Sequence, residues 1–232
     1  MVSGDIFDLA NPSNADTKLY YQTLHRLSNT NVKVIITGGN HDSISLLDAP
    51  SGLLDQLSIT VVGGAKEDKR KEIIPIHDKK GNPECIVLAV PFLREKDLRT
   101  SLQASESMDK TAVTSTAIQR HYDDLVDLVV EEFGPSVPII AMGHLYMKGS
   151  ITSDSEREIH VGNLEGLDSK IIHPDIDYMA LGHIHKPQKI GNHHRIRYCG
   201  SPVFLDFSER DYDKIVIELE INDHKIVSIT PV

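Results

Sequence analysis

The chain has 232 residues, with 34 acidic against 24 basic side chains and a formal net charge of −10. That length supports one large domain or two small ones with a substantial core. The acidic balance excludes a broad basic surface for duplex nucleic acid, but not a local site in which cations neutralise carboxylates. No apolar run approaches the ~20 residues that span a bilayer, and the start MVSGDIFDLA lacks the basic and apolar regions of a signal peptide. Cys85 and Cys199 stand far apart without a CxxC pattern, which points to free thiols in a reducing, cytoplasmic compartment.

The opening Val-Ser-Gly-Asp reads as the end of a strand and its turn, with almost no strand before it. In the following turn Ser13 or Asn14 can cap a helix, and Leu19, Tyr20, Leu24 and Leu27 keep helical spacing to about Ser28. The mostly β-branched run Val32–Thr37 predicts a buried strand that ends in Gly38 and Gly39. Asn40, His41 and Asp42 follow, three polar side chains at the carboxyl edge of a sheet, where α/β folds bind ligands.

After Asp42 a polar stretch with Pro50 and Gly52 precedes a short helical Leu53–Leu57 and a strand Ile59–Val62. Glu72–His77 and Cys85–Phe92 predict a hairpin around the turn Asp78–Pro83. Arg94–Lys110 predicts a loop or irregular helix. Val113–Phe133 carries Ile118, Tyr122, Leu125, Val126, Val129 and Phe133 on one face and predicts the best helix of the chain, stopped by Gly134-Pro135. Val137–Ala141 and Tyr178–Leu181 predict strands running into Met142-Gly143-His144 and Gly182-His183-Ile184-His185, with a charged loop Ser150–Ile159 between them. Arg195–Cys199 predicts a strand closed by Gly200-Ser201-Pro202, and Lys214–Ile221 with Lys225–Thr230 predicts a final hairpin. Without repeat or linker, residues 1–232 read as one domain.

Four strand ends share one design: an apolar strand, a glycine, then a side chain that binds metal. They are Ser3-Gly4-Asp5, Gly39-Asn40-His41, Gly143-His144 and Gly182-His183-Ile184-His185. One such pair alone reads as a hydrogen-bonded loop histidine; four repetitions argue for a common site. His183 and His185 point to opposite sides if the strand continues and converge if a turn follows Gly182. A carboxylate can bridge two cations, an amide oxygen is a neutral hard ligand, and imidazoles suit Mn²⁺, Fe²⁺ or Zn²⁺. Paired sites of this mixed kind activate water and stabilise the leaving oxygen in phosphoester cleavage. His41, beside Asn40, is better placed to act on phosphate than to join the same metal, with Asp42 orienting His41 or the turn.

GDIFD, GGNHD, GHL and GHIH, in that order, resemble the calcineurin-like metallophosphoesterase family, and PFLRE, ALGHIH and RYCGSP are similar to its SbcD-type nuclease subunits. The resemblance covers essentially the whole chain. It implies an α/β fold, a two-sheet sandwich with flanking helices, and two divalent metal ions, Mn²⁺ foremost, at the strand ends. It also implies exonuclease and endonuclease action on DNA ends in recombination and repair, with an SbcC-like, SMC-type ATPase as partner. Carried over by motif, Asp5 resembles the bridging ligand, and Asn40, His144 and His183 the rest of the second metal site. His185 resembles a ligand of the first metal and His41 the catalytic histidine, with Asp42 beside it.

The family's pattern opens with an Asp-x-His motif on a first strand upstream of the GD motif, and this chain starts at GD. The expectation is therefore a fold without its first strand, in which the first metal keeps only Asp5 and His185. The family also continues into a DNA-facing cap and a helical ATPase-binding segment, so the chain reads as a core truncated at both ends. An opened sheet edge or apolar face would favour a homodimer. Two other readings stay open: a small-molecule phosphodiesterase or phosphatase, which the acidic charge favours, and a catalytically impaired scaffold, which the incomplete first site favours. Outside the constellation, His193-His194 could touch phosphate or simply sit on an exposed hairpin turn. His25 and His121 read as helix-surface residues, and His160 and His173 flank the charged loop. Arg94 and Lys96 could contact a DNA backbone or be plain surface charges. Ser201 could line the site or only form the turn.

Overall fold

The structure, a computed structural model, describes residues 1–102, 110–153, 156 and 166–232. The apolar β-branched runs assemble two sheets. In the smaller, β1 (Val2–Ser3), β2 (Val34–Thr37) and β3 (Ile59–Val62) are parallel in that order. The larger has six strands: β4 (Ile73–His77), β5 (Pro83–Ala89), β6 (Ile139–His144), β7 (Ile176–Gly182), β9 (His193–Tyr198) and β8 (Gln188–Ile190), in that spatial order. Strands β5, β6, β7 and β9 are parallel, so their carboxyl ends share one edge, and antiparallel partners close both flanks. A separate antiparallel hairpin, β10 (Ile217–Asn222) with β11 (Lys225–Pro231), completes the strands.

Alternation within the strands supplies a core on each side of the large sheet. One face sends Val87, Ala89, Ile140, Met142 and Tyr178 against Ile35 and Val62 of the small sheet, and the hairpin's Ile217, Leu219 and Ile221 pack onto this layer. The other face sends Ile86, Leu88, Ile139, Ala141 and Met179 against helix α5 (Lys110–Phe133), whose Ile118, Tyr122, Leu125, Val126 and Val129 are all buried. The outer face of the small sheet is covered by Tyr20 and Leu24 of α1 (Asn14–Ser28), with Leu47 of α2 (Ile44–Asp48) and Leu54 of α3 (Ser51–Asp55). The result is the two-sheet sandwich with flanking helices that the motifs imply. Helix α1 starts at a capping box, in which Ser13 Oγ accepts from the Asp16 N–H and the Asp16 carboxylate accepts from the Ser13 N–H.

Two short elements were not expected. Helix α2 lies in the polar stretch after Asp42, where the Ser43 hydroxyl accepts from the Leu46 N–H and opens the helix. Strand β8 is only three residues long. Helix α4 (Glu95–Leu102) lies within Arg94–Lys110, the predicted loop or irregular helix, of which 103–109 lie outside the described residues, as do His160 and half of the Ser150–Ile159 loop. Cys85 and Cys199 are free, and no helix among the described residues is long and apolar enough to cross a membrane.

His121 is not on a helix surface. It is 7% exposed, and its Nε2 lies 2.7 Å from Oε2 of Glu72, whose other oxygen accepts from the Lys66 N–H at 2.7 Å. A buried carboxylate needs such partners, and this one ties the approach to β4 onto α5. Replacing Glu72 with Ala leaves the His121 ring nitrogen and the Lys66 N–H unmatched in the interior. The expected loss of stability is about 3 kcal/mol, read as a lowered urea midpoint at unchanged slope; a shift under ~0.5 kcal/mol would mean that the clasp adds nothing to the fold.

Candidate metal centre

The carboxyl ends of β1, β2, β6 and β7 meet because glycines let the backbones approach. A Cβ built on Gly182 would lie 1.6 Å from the Ser3 carbonyl oxygen, and one on Gly39 would lie 2.2 Å from Asp5 Oδ1. At that junction Asp5, His144 and His183 bring one ligand atom each within 4.8 Å of one another. Two of the three sit in backbone conformations that non-glycine residues rarely adopt: Asp5 has φ 51° and His183 has φ 94°. The chain turns out of the strand after Gly182, so His183 aims at the junction and does not continue the β7 alternation.

His144, fully buried, organises the group. Its Nδ1 is 2.9 Å from the Ser3 carbonyl oxygen, which can only accept, so Nδ1 is the donor. Nε2 then faces Asn40 Oδ1 at 2.8 Å and Asp5 Oδ2 at 3.2 Å. Three acceptor atoms on three strand ends converge, and a cation satisfies all of them at once. Mixed carboxylate, amide and imidazole donors suit Mn²⁺ and its neighbours in the first transition row. Burial lowers the His183 pKa to about 3, reinforced by the nearby His144, so this imidazole is neutral and its lone pair is available. For Asp5 burial opposes ionisation, but the neighbouring His144 and His41, the latter through its backbone N–H as well, outweigh it and hold the carboxyl at about 2.

His41 stands at the rim with its side chain 12% exposed. Its N–H donates to Asp5 Oδ1 at 3.2 Å, and its Nδ1 lies 2.9 Å from the Asp8 carbonyl, which makes Nδ1 the donor and leaves Nε2 free of that bond. Asp42 is 1% exposed, and its carboxylate accepts from the N–H groups of Gly39, Ile6 and Phe7 at 2.8, 3.1 and 3.0 Å. It therefore fastens the GGNHD turn to the GDIF turn; of the two supports expected of it, these three bonds serve the turn and not the His41 ring. Desolvation raises its pKa against the pull of those three amides. Arg94 is drawn into the same support, with Nη2 donating to the Asp42 carbonyl at 2.9 Å.

His185 stays outside the triad. Its Nδ1 turns to Oε1 of Glu209 at 2.9 Å, its N–H donates to Glu156 Oε1 at 2.7 Å, and its carbonyl accepts from the Ser201 N–H at 3.1 Å. Glu209 is the residue that sequence reasoning missed. It is fully buried and also takes the Lys214 ammonium, the Ser201 hydroxyl at 3.2 Å and the Leu205 N–H at 3.3 Å. Ser201 thus belongs to the support of His185 as well as to its turn.

The sequence profile of the calcineurin-like phosphoesterases matches residues 1–187. The chain is 34% identical over 233 residues to the SbcD component of the nuclease SbcCD of Escherichia coli (strain K12), a match covering 99% of this chain and 56% of that protein. It is 34% identical over 229 residues to the corresponding SbcCD component of Rhodobacter capsulatus, with 95% and 56% covered, and 29% identical over 222 residues to that of Bacillus subtilis (strain 168), with 93% and 54% covered. The chain spans a little over half the length of the relatives it matches.

Two substitutions test this geometry. Gly182→Ala must push the Ser3 carbonyl away, so Mn²⁺ affinity measured by titration calorimetry is expected to fall at least ~10-fold; unchanged affinity would mean that the close approach is incidental to the site. Glu209→Ala strands the largely enclosed ammonium of Lys214 and unseats His185, and should lower stability by about 3 kcal/mol in chemical denaturation, whereas a cost near zero would show that Lys214 reaches solvent without it.

Proposed function

The chain belongs to the calcineurin-like phosphoesterase family, and on that premise we propose that it carries the catalytic centre of a metal-dependent nuclease subunit that hydrolyses phosphodiester bonds at DNA ends. The observation behind this reading is the convergence of Asp5, Asn40 and His144 oxygen and nitrogen atoms on one point, with a neutral His183 beside them. Divalent ions held there, Mn²⁺ in our reading, would supply a lowered pKa for bound water and charge to offset that of the phosphate. Asp5, Asn40, His144 and His183 would hold the better-preserved second ion, with Asp5 shared between the two, and His185 would serve the first. His41 acts on the phosphate: with Nδ1 committed to the Asp8 carbonyl, its Nε2 is the atom left to donate to a non-bridging or leaving oxygen. Asp42 keeps the turn, and so His41, in register with Asp5.

The relatives are named as one component of the nuclease SbcCD, which supports an SbcC-like, SMC-type ATPase as partner and a role in recombination and repair in the cytoplasm. The net charge of −10 favours a second reading, a phosphodiesterase of small molecules, since the protein offers no broad attraction to a duplex.

Incubation with Mn²⁺ and an end-labelled duplex separates the readings. Shortening of the duplex from its ends is expected; hydrolysis of a small phosphodiester with the duplex intact would favour the second reading, and Mn²⁺ binding without either reaction would make the chain a scaffold. His41→Ala should retain Mn²⁺ affinity while turnover falls at least ~100-fold. Loss of metal in that variant would instead make His41 a ligand.

A further inference from the structure

Arg94 stands where the turn that carries His41 meets the start of α4. Two contacts lay its segment along that turn. The Phe92 N–H donates to the Gly38 carbonyl at 2.8 Å, and Arg94 Nη2 donates to the Asp42 carbonyl at 2.9 Å. The Phe92 ring meets the His144 ring edge-on, with centroids 6.2 Å apart. Leu93, between them, is 1% exposed and belongs to the core around α5. The segment is therefore seated against the metal centre, with Phe92 over the buried His144 and the guanidinium at the Asp42 end.

Arg94 is half-buried, and only part of its guanidinium is engaged. Nη2 is held by the Asp42 carbonyl; Nε and Nη1 bond to no described residue, and neither is sealed from water. No described carboxylate forms an ion pair with it. The acids beside it serve backbone amides instead. Asp42 accepts from Gly39, Ile6 and Phe7, and Asp97 Oδ2 accepts from the N–H of Arg94 itself at 2.9 Å. In a chain of net charge −10, this cation is fixed at the rim of the metal centre with donors left to offer. A free surface arginine would swing; this one is held in place before any ligand arrives, so less side-chain freedom is lost on binding.

Chain order gives its place relative to the ion. Asn40 presents an oxygen to the junction, His41 follows it, and Arg94 is bonded to the carbonyl of the residue after His41. Resting on the nuclease reading above, we propose that Arg94 grips the backbone phosphate one linkage away from the one being cleaved. Charge-assisted N–H donors on a planar guanidinium match the non-bridging oxygens of a phosphate. Such a contact sets the register of the strand without reading its bases. It also favours polynucleotides over single phosphodiesters, which have no neighbouring phosphate to hold.

The test compares two substrates in Mn²⁺: an end-labelled duplex, and bis-para-nitrophenyl phosphate, which carries one phosphate only. In Arg94→Gln, the ratio of kcat/KM for duplex to kcat/KM for the small diester is expected to fall about tenfold, the loss of one charge-assisted contact. The fall should lie in KM for the duplex, with Mn²⁺ affinity by titration calorimetry retained. The slope of log KM against log salt should shrink by about one phosphate contact in Arg94→Gln and be kept in Arg94→Lys. A neutral methylphosphonate at the linkage flanking the cleaved one probes the same contact in the unaltered protein. It should raise KM about tenfold there and add nothing further in Arg94→Gln, and this arm stands even if Arg94→Gln fails to fold. An unchanged KM with the methylphosphonate, or an unchanged substrate ratio in Arg94→Gln, overturns the proposal and leaves the nuclease reading intact. Weakened Mn²⁺ binding with equal losses on both substrates overturns it too, making Arg94 a brace for the turn. Hydrolysis of the small diester with the duplex left whole overturns the nuclease reading, and this proposal with it.

Discussion

The hydrogen bond from Nδ1 of His144 to the Ser3 carbonyl, 2.9 Å long, joins the six-stranded sheet to the three-stranded one at the edge where both present their carboxyl ends. Because a carbonyl only accepts, that bond fixes the imidazole tautomer, and the remaining lone pair is delivered to the point where Asn40 and Asp5 already present oxygens. The surrounding sequence makes this one contact feasible. Gly182 has no side chain to hold Ser3 away, Gly39 none to hold Asp5 away, and the Asp42 carboxylate collects three amides so that two turns from distant parts of the chain share one anchor. The convergence of these side chains follows from how closely two backbones can pass.

The interior handles charge in two ways. Glu72 and Glu209 are fully buried and each is met by several donors. At the metal centre the opposite arrangement holds: acceptors are crowded together without donors to match them. Asp5 remains ionised and His183 remains neutral, which are the protonation states that a divalent cation requires of such side chains. The acceptor excess is what separates this junction from an ordinary hydrogen-bonded cluster of loop histidines.

The strand–glycine–ligand pattern was legible because it is local. β-Branched runs mark buried strands, glycines mark their abrupt ends, and the residue after the glycine has nowhere to go but the sheet edge. That is enough to gather Asp5, Asn40, His144 and His183 from four separate segments. The long α5 was equally legible from the periodicity of Tyr122, Leu125, Val126 and Val129. What escaped depends on partners remote in sequence. His121 looks like a solvated helix residue until Glu72, 49 positions away, is seen to be buried beneath it. Glu209 sits in LDFSERD, a stretch that reads as a polar loop, and its importance appears only once Lys214, Ser201 and His185 surround it. His185 shows the limit from the other side: its motif is clear, yet its side chain is turned toward that glutamate and not into the triad.

The positive φ angles of Asp5 and His183 carry a consequence for how such a protein can change. A non-glycine residue held there costs on the order of 1–3 kcal/mol, so the fold would gain if either position became glycine, while the ligand would vanish. Heat resistance and cation binding therefore pull these two codons in opposite directions. A library screened only for survival at high temperature would drift toward glycine at both sites, enriching robust proteins with an emptied centre.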